Sequence, residues 1–291
     1  MMVVPNKLGE NATRSPRQFA DLLPVERRQR IFEVLLSRHA VSVIELAETF
    51  DVSSMTIRRD LQLLAEEGLV ESVHGGARAS LQSPIELSFA QREMVDVEAK
   101  RSIGILAAKL VNDGDVVALD GSTTTLQVAR NLVRHQQLTV ITNGIKAAVE
   151  LGNRPGIEVT VVGGQLHHNA SLVGPFARAT FERWRVDWAF LSITGVSDSL
   201  ELRGPSELDA EIKTAVIETA RNAVLVADAT KFGRDSYVRV APLERFQHIV
   251  TDDRVSAEWR ERIEAAGCTL HVATRGSSAV NGISSSHQAA G

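Results

Sequence analysis

Apolar residues follow two different rhythms along the chain, and the change from one to the other near position 80 divides it. Before that point the spacing is helical. Val25, Ile31, Val34, Leu35 and Leu36 recur at intervals that predict a helix over about 25–38, closed by His39-Ala40. Ile44, Leu46, Ala47 and Phe50 predict a shorter helix over 43–50. Asp51-Val52-Ser53 makes a tight connection, with Ser53 or Ser54 as N-cap of a third helix over 54–67. Ile57, Leu61 and Leu64 supply its buried stripe, which leaves Met55, Thr56, Arg58, Arg59 and Gln62 on flanking and opposite faces. Gly68 caps the end, and 69–77 reads as a hairpin whose turn Gly75-Gly76 permits.

After position 80 short apolar runs alternate with amphipathic helices. A helix over 94–112 leads to strands at 115–119, 138–142, 157–162, 188–193, 223–227, 248–251 and 269–272. That order predicts a mostly parallel α/β sheet covered on both faces. The expected organisation is a flexible N-terminal tail over 1–23, an α+β unit over 24–78, a linker over 79–93, an α/β domain over 94–273 and a disordered tail over 274–291. Helix, turn, helix, hairpin is the layout of a winged helix-turn-helix; a small helical bundle without a ligand has the same helices, and residue identity decides between them.

Composition narrows the class of protein. The chain has 291 residues, 44% hydrophobic and 23% charged, enough for two globular cores. The lone Cys268 forms no internal disulfide, no apolar run reaches the ~20 residues that span a bilayer, and the N-terminus lacks a signal-like apolar core. A cytoplasmic protein without membrane contact is expected. The net charge of -4 argues against a protein that coats nucleic acid. Residues 1–78 carry ten basic and eleven acidic side chains, which leaves -3 for the rest. Any DNA contact must therefore come from cations gathered on one helix.

The third helix gathers them. Short polar side chains at a helix start reach base edges, and nearby guanidinium groups reach guanine or phosphate. Ser54, Met55, Thr56, Arg58 and Arg59 form that set, the alternative for each arginine being an ion pair with Asp60, Glu66 or Glu67. The string VSSMTIRRDLQLLAEEGLVESVHGGA, preceded by Arg27, Ile31 and Leu35, resembles the DNA-binding domain of the DeoR-type bacterial repressor family. Thr56-Ile57-Arg58-Arg59-Asp60-Leu61 and His74-Gly75-Gly76-Ala77 carry the match. The resemblance implies double-stranded operator DNA as partner, with Ser53, Ser54, Met55, Thr56, Arg58, Arg59 and His74 at the interface. Within that set it gives Ser54, Thr56 and Arg58 to bases or adjacent phosphates and Arg59 to phosphate. Ser72 departs from the family, which usually has Arg two residues before the wing histidine. Few cations per subunit predict modest affinity from a monomer, for which homodimers or homotetramers on repeated half-sites would compensate.

In open α/β sheets ligands bind beyond the carboxyl ends of the strands. Those loops are polar here: Asp120-Gly121-Ser122-Thr123-Thr124, Asn143-Gly144, Gly163-Gly164, Thr194-Gly195 and Asp228-Ala229-Thr230-Lys231. A Gly-Ser-Thr loop opening a helix offers free N–H groups and the positive end of the dipole, which suit phosphate; Ser and Thr there also serve as plain caps. The stretch 94–252 resembles the DeoR-type sensor domain, similar in fold to ribose-5-phosphate isomerase and the CoA-transferase-like proteins, and to glucosamine-6-phosphate deaminase. The match lies in Asp120 to Thr123, Thr142-Asn143, Gly163-Gly164, Asp209-Ala210-Glu211-Ile212-Lys213 and Asp228-x-Thr230-Lys231. It implies a phosphorylated sugar or related metabolite as effector. Phosphate would sit at Gly121, Ser122, Thr123 and Thr124, with Asp120, Asn143, Gly163, Gly164, Thr194, Gly195, Glu211, Lys213, Asp228 and Lys231 around the remainder. Lys213 has the alternative of an i, i+4 pair with Asp209, and Lys231 that of a solvated loop lysine. His167-His168 lacks a further ligand at metal-binding spacing, so neither metal nor cofactor is expected. The functional reading is a sequence-specific transcriptional regulator, a repressor of a carbohydrate catabolic operon released by its effector, and no enzyme. The alternative is a sugar-phosphate isomerase or deaminase with an appended DNA module, using Asp120, Asp209, Glu211 and Lys213 as acid and base groups.

Overall fold

The computed structural model describes residues 22–38, 40–66, 68–73, 75–79, 89–167 and 170–274. They divide into two compact units, Met1–Val95 and Asp96–Gly291. The first holds α1 (Pro24–Arg38), β1 (Ala40–Ser42), α2 (Val43–Phe50), α3 (Ser54–Glu66), β2 (Val70–Val73), β3 (Gly76–Ala79) and α4 (Phe89–Met94). Ile31, Phe32, Leu35, Leu46, Phe50, Ile57 and Leu64 bring the three long helices onto one core. Each junction has a local cause. Ser42 caps α2 by accepting from the Glu45 N–H at 3.1 Å, Asp51 ends it at φ 51°, and Gly68 ends α3 at φ 72°.

Several boundaries differ from expectation. Val25 is 65% exposed, so the apolar stripe of α1 begins at Ile31. Ala40, expected to close the first helix, instead begins β1, which pairs with β3 and gives a three-stranded sheet in the order β1-β3-β2. Gly75 takes a positive φ, 77°, in the hairpin turn. Gly76 stands in β3 opposite Ser42, where a Cβ would collide with the Val41 carbonyl oxygen. The expected linker of 79–93 is partly ordered: Ala79 is buried in β3, and Phe89–Met94 is helical, with Ala90 and Met94 against the first core. The helix expected over 94–112 is accordingly broken at Val95-Asp96. His39, Glu67, His74, 80–88, His168 and both tails lie outside the described residues.

The second unit runs α5 (Val97–Ala108), β4 (Val116–Leu119), α6 (Thr123–Leu132), β5 (Leu138–Thr142), α7 (Ile145–Leu151), β6 (Ile157–Val161), β7 (Gln165–His167), β8 (Ser171–Val173), α8 (Pro175–Glu182), β9 (Val186–Leu191), β10 (Gly195–Val196), β11 (Glu201–Gly204), α9 (Glu207–Thr219), β12 (Ala220–Val226), β13 (Val238–Pro242), β14 (His248–Asp252), α10 (Ala257–Ala265) and β15 (Thr269–Ala273). The seven strands expected from sequence are the seven of the central sheet, ordered β15-β14-β12-β9-β4-β5-β6 and parallel throughout. Alternate residues face opposite layers. Ala118, Ala189, Leu191, Ala223, Leu225 and Ile249 pack with α8, α9 and α10. Val117, Leu119, Phe190, Val224 and Val250 are equally buried on the side of α5 and α6. A side chain at Gly104 would strike the Gln127 backbone, so this glycine sets how closely α5 and α6 approach. All loops after the parallel strands open on one edge, which is where the polar residues gather.

Candidate nucleic-acid interface and strand-edge site

On α3 the string Arg58-Arg59-Asp60 splits by face. Asp60 falls in phase with Ile57 and Leu64 and is only 3% exposed, where Arg27 of α1 meets it at 2.6 Å and Arg28 at 3.8 Å. Arg58 and Arg59 are exposed, and among the described residues neither forms an ion pair. The alternative of an internal partner for them therefore does not arise with Asp60. Ser53 caps the helix: its hydroxyl accepts from the Thr56 N–H at 3.1 Å and lies 2.9 Å from the Thr56 hydroxyl. Both hydroxyls are thus partly engaged in starting the helix, whereas Ser54 and Met55 project outward. The wing carries Ser72 and Val73 outward, and its one basic side chain among the described residues, Arg78, is paired across the strands with Glu71 at 2.6 Å. The missing wing arginine is therefore not replaced by Arg78.

In the second unit Asp120 is the hub. It follows β4, is 1% exposed, and both its oxygens are engaged. Oδ1 accepts from the Ser122 N–H at 3.0 Å and the Thr125 hydroxyl at 2.7 Å; Oδ2 accepts from the Ser192 N–H at 3.0 Å and from the Lys213 ammonium. Burial pushes the Asp120 pKa up, but the Lys213 charge and the hydrogen bonds from Lys213, Ser122 and Thr125 outweigh it and hold the carboxyl below its ordinary value. Lys213 also reaches Asp209 at 3.4 Å, so the expected i, i+4 pair exists beside a buried one. With four donors on two oxygens, Asp120 has little capacity left for ligand hydroxyls. It organises the loop instead.

What that loop presents is the start of α6. Ser122 caps it by accepting from the Thr125 N–H at 3.3 Å, and Thr123 and Thr124 occupy its buried first turn. Gly121 lies against Gly144 and Ser171, so closely that neither glycine has room for a Cβ. Asn143, beside that contact, donates to the Leu172 carbonyl at 3.1 Å, and its buried Oδ1 has no hydrogen-bond partner among the described residues. Asp228 closes its own turn by accepting from the Thr230 N–H at 3.1 Å and from the Thr230 hydroxyl. Burial raises its pKa, and the charges of Lys231 and Lys100 with the Thr230 hydrogen bonds bring it below the ordinary value.

The remaining expected residues are placed less uniformly. Lys231 is half-buried beside Asp228; Thr194 is half-buried, and Gly195 begins β10 against the Arg234 backbone. Gly163 and Gly164 are exposed just after β6, the edge strand, where Gly164 lies against the Val173 backbone of β8 and Ala177 of α8. Glu211 is exposed and its charge acts on Arg178 of α8, and a residue two places from Lys213 on a helix points away from it. Thr125, Ser192 and Lys100 were not anticipated. Lys100 had a signal, since it sits in phase with the buried Ile103 and Ala107 of α5. Ser192 gave none, as it reaches Asp120 through its backbone N–H. Trp188 and Trp259 serve as packing residues, and burial pushes the Cys268 thiol up to about 11, as suits an inert core group.

A compact helix-turn-helix unit followed by an α/β unit with a polar strand edge defines an effector-type DNA-binding regulator. The profile described as DeoR-like helix-turn-helix domain matches residues 27–82, and that of the DeoR C terminal sensor domain matches 95–253. The chain belongs to the DeoR family of transcriptional regulators. It is 38% identical over 250 residues to the HTH-type transcriptional regulator GlpR of Haloferax volcanii, covering 86% of this chain and 98% of that one. It is 32% identical to the glycerol-3-phosphate regulon repressor of Haemophilus influenzae, covering 78% and 89%. Among solved structures, ribose 5-phosphate isomerase A of Methanocaldococcus jannaschii aligns with 20% identity and a TM-score of 0.34 over 46% of this chain and 53% of that one. No helix among the described residues is long and apolar enough to cross a membrane.

Proposed function

We propose that the chain is a repressor of a carbohydrate catabolic operon, released when a phosphorylated sugar or polyol occupies the strand edge of the second unit. The observation that carries this reading is the start of α6: a capped Gly-Ser-Thr turn, held by a saturated Asp120, beside a buried Asn143 oxygen that has no partner among the described residues. A helix N-terminus suits phosphate, and the Asn143 acceptor suits a donor such as a hydroxyl. Lys213, Lys231 and Lys100 surround the edge with charge already balanced by Asp120, Asp209 and Asp228, which favours selective over indiscriminate anion binding. Relatives named as regulators, one of them for a glycerol-3-phosphate regulon, support the same class of effector. A regulatory rather than enzymatic role is supported by the relatives named as regulators, by an Asp120 whose oxygens are already taken up by Lys213 and three other donors, and by the outward Glu211. Binding as a homodimer or homotetramer, in the cytoplasm, completes the proposal.

Coupling of about 1 to 3 kcal/mol between effector and operator is typical of such regulators. Footprinting on the chain's own upstream DNA, with and without a panel of sugar and polyol phosphates, tests it. Protection relieved by one of them is expected; protection indifferent to all would refute the sensor role.

A further inference from the structure

The exposed face of α3 contains one side chain that neither charge nor polarity explains. Met55, Arg58, Arg59 and Gln62 stand at i, i+3, i+4 and i+7, a single stripe opposite Ile57, Leu61 and Leu64. Gln62 is engaged by Glu66 at 3.1 Å, while the two arginines carry no ion pair among the described residues. Met55, at 71%, is the most exposed large apolar side chain of the first unit's described residues. Its neighbours Ser53 and Thr56 are engaged in the cap. A flexible thioether held out beside two exposed guanidinium groups faces the same surface that they do. Their charge selects a polyanion, and in a duplex major groove the one apolar group that a base edge presents is the thymine C5-methyl.

We propose that Met55 is a specificity-determining residue that reads a thymine methyl in the operator half-site. The thymine lies next to the base pair contacted by Arg58, since three residues of helix advance about 4.5 Å, close to one base-pair step of about 3.4 Å. This rests on α3 being the DNA-reading helix and adds the base and the chemical group it recognises. Removing Met55 leaves the core untouched, so its effect falls on sequence preference and not on folding.

The test uses the full chain. An operator is selected from a randomised duplex pool, and each thymine of the half-site is replaced in turn by deoxyuridine, which lacks only the methyl. Wild-type protein is expected to lose about fourfold in affinity at one thymine, the worth of one buried methyl group. Met55→Ala should bind the thymine and uracil duplexes equally, with an unchanged melting temperature and an unchanged salt slope. Arg59→Ala, by contrast, should lower the slope by about one phosphate contact. Wild-type indifference to uracil at every thymine, or a Met55→Ala protein that still discriminates, would overturn the proposal while leaving α3 as the reading helix. Failure of the wild-type protein to select any sequence would remove the DNA-binding reading and this inference together.

Discussion

The Lys213 ammonium is bonded to Asp120, 93 residues earlier in the chain, and both groups are almost completely buried. The pair joins the loop after β4 to α9, while the same carboxylate takes the backbone N–H that follows β9. Three separate segments of the strand edge are thereby positioned by one side chain. The effector site proposed above depends on that tie being made before any ligand arrives.

Breaking it from one side should be costly. Lys213→Met leaves the buried Asp120 carboxylate without its cation, at about 3 to 5 kcal/mol, and Asp120→Asn should cost less because Lys213 keeps Asp209 at 3.4 Å. The double variant should cost less than the sum of the two, which urea unfolding of all four proteins would reveal as a coupling energy. Additive losses would show that the two groups do not act as a pair. The acid limb follows from the same geometry. The folded Asp120 carboxyl titrates below its unfolded value of about 3.9, so its contribution is complete above that pH. It fades as pH falls through the folded value, and Asp120→Asn should lack this part of the acid transition.

Asp60 and Arg58 are two residues apart on α3 and should fail in opposite ways. Asp60→Ala removes the partner of Arg27 and loosens α1 from α3, at about 2 to 4 kcal/mol for a largely buried pair. DNA binding would then return on cooling or with a stabilising osmolyte. Arg58→Ala should change stability by less than about 0.5 kcal/mol yet abolish specific binding under all conditions. Parallel thermal unfolding and operator titrations separate the two, and equal destabilisation by both would contradict the division of faces.

The same two residues show what could be read in advance. The inner strands were visible because a strand buried on both faces is a nearly unbroken apolar run, as in Val116–Leu119 and the Ala223–Val226 end of β12. The pieces β1, β7, β8, β10, β11 and β13 were not, since they lie outside the central sheet in small antiparallel pairings and carry no long apolar run. The helix over Phe89–Met94 escaped notice because it is short. In the site, the Gly-Ser-Thr loop was legible from its residue types. That Asp120 is saturated was not, because Lys213 and Ser192 reach it from 93 and 72 positions away. Asp60 and Lys100 carried an unread signal: a charge in phase with an apolar stripe must have a buried partner.

At the opposite end of the sheet, His248 and His271 meet with ring nitrogens 3.2 Å apart, and Trp188 tilts against His248 with ring centroids 5.5 Å apart. Burial lowers both pKa values, with His271 adding to the shift at His248. Their folded values lie below the unfolded value of about 6.5, so the unfolded chain takes up protons first and stability falls as pH drops beneath that point. Melting temperatures measured between pH 8 and 5 should decline in the lower half of that range. His271→Gln should flatten the decline, and an unchanged profile would assign it to other groups.

Arg254 ties the first residue of the second unit to the strand edge. Its guanidinium meets Asp252, at the end of β14, at 2.6 Å and Asp96, just before α5, at 2.7 Å. Asp252 is wholly buried, and Asp96 holds a left-handed conformation at φ 51° that few non-glycine residues adopt. The two carboxylates raise the Arg254 pKa against the opposing effect of burial, so the guanidinium stays charged. Arg254→Ala therefore strands a buried carboxylate and releases a strained turn at once. Because the arginine is itself partly exposed, the expected loss is about 1 to 3 kcal/mol, between that of a surface pair and a buried one. Hydrogen exchange should locate the change in the first turn of α5, around Lys100, with the core of β4 and β9 unaltered. Asp96→Gly should behave differently: it loses one bond to Arg254 but relaxes the φ that glycine tolerates, giving a smaller net loss. If Asp96→Gly proves as damaging as Arg254→Ala, the ion pair and not the buried Asp252 carries the stability of this junction.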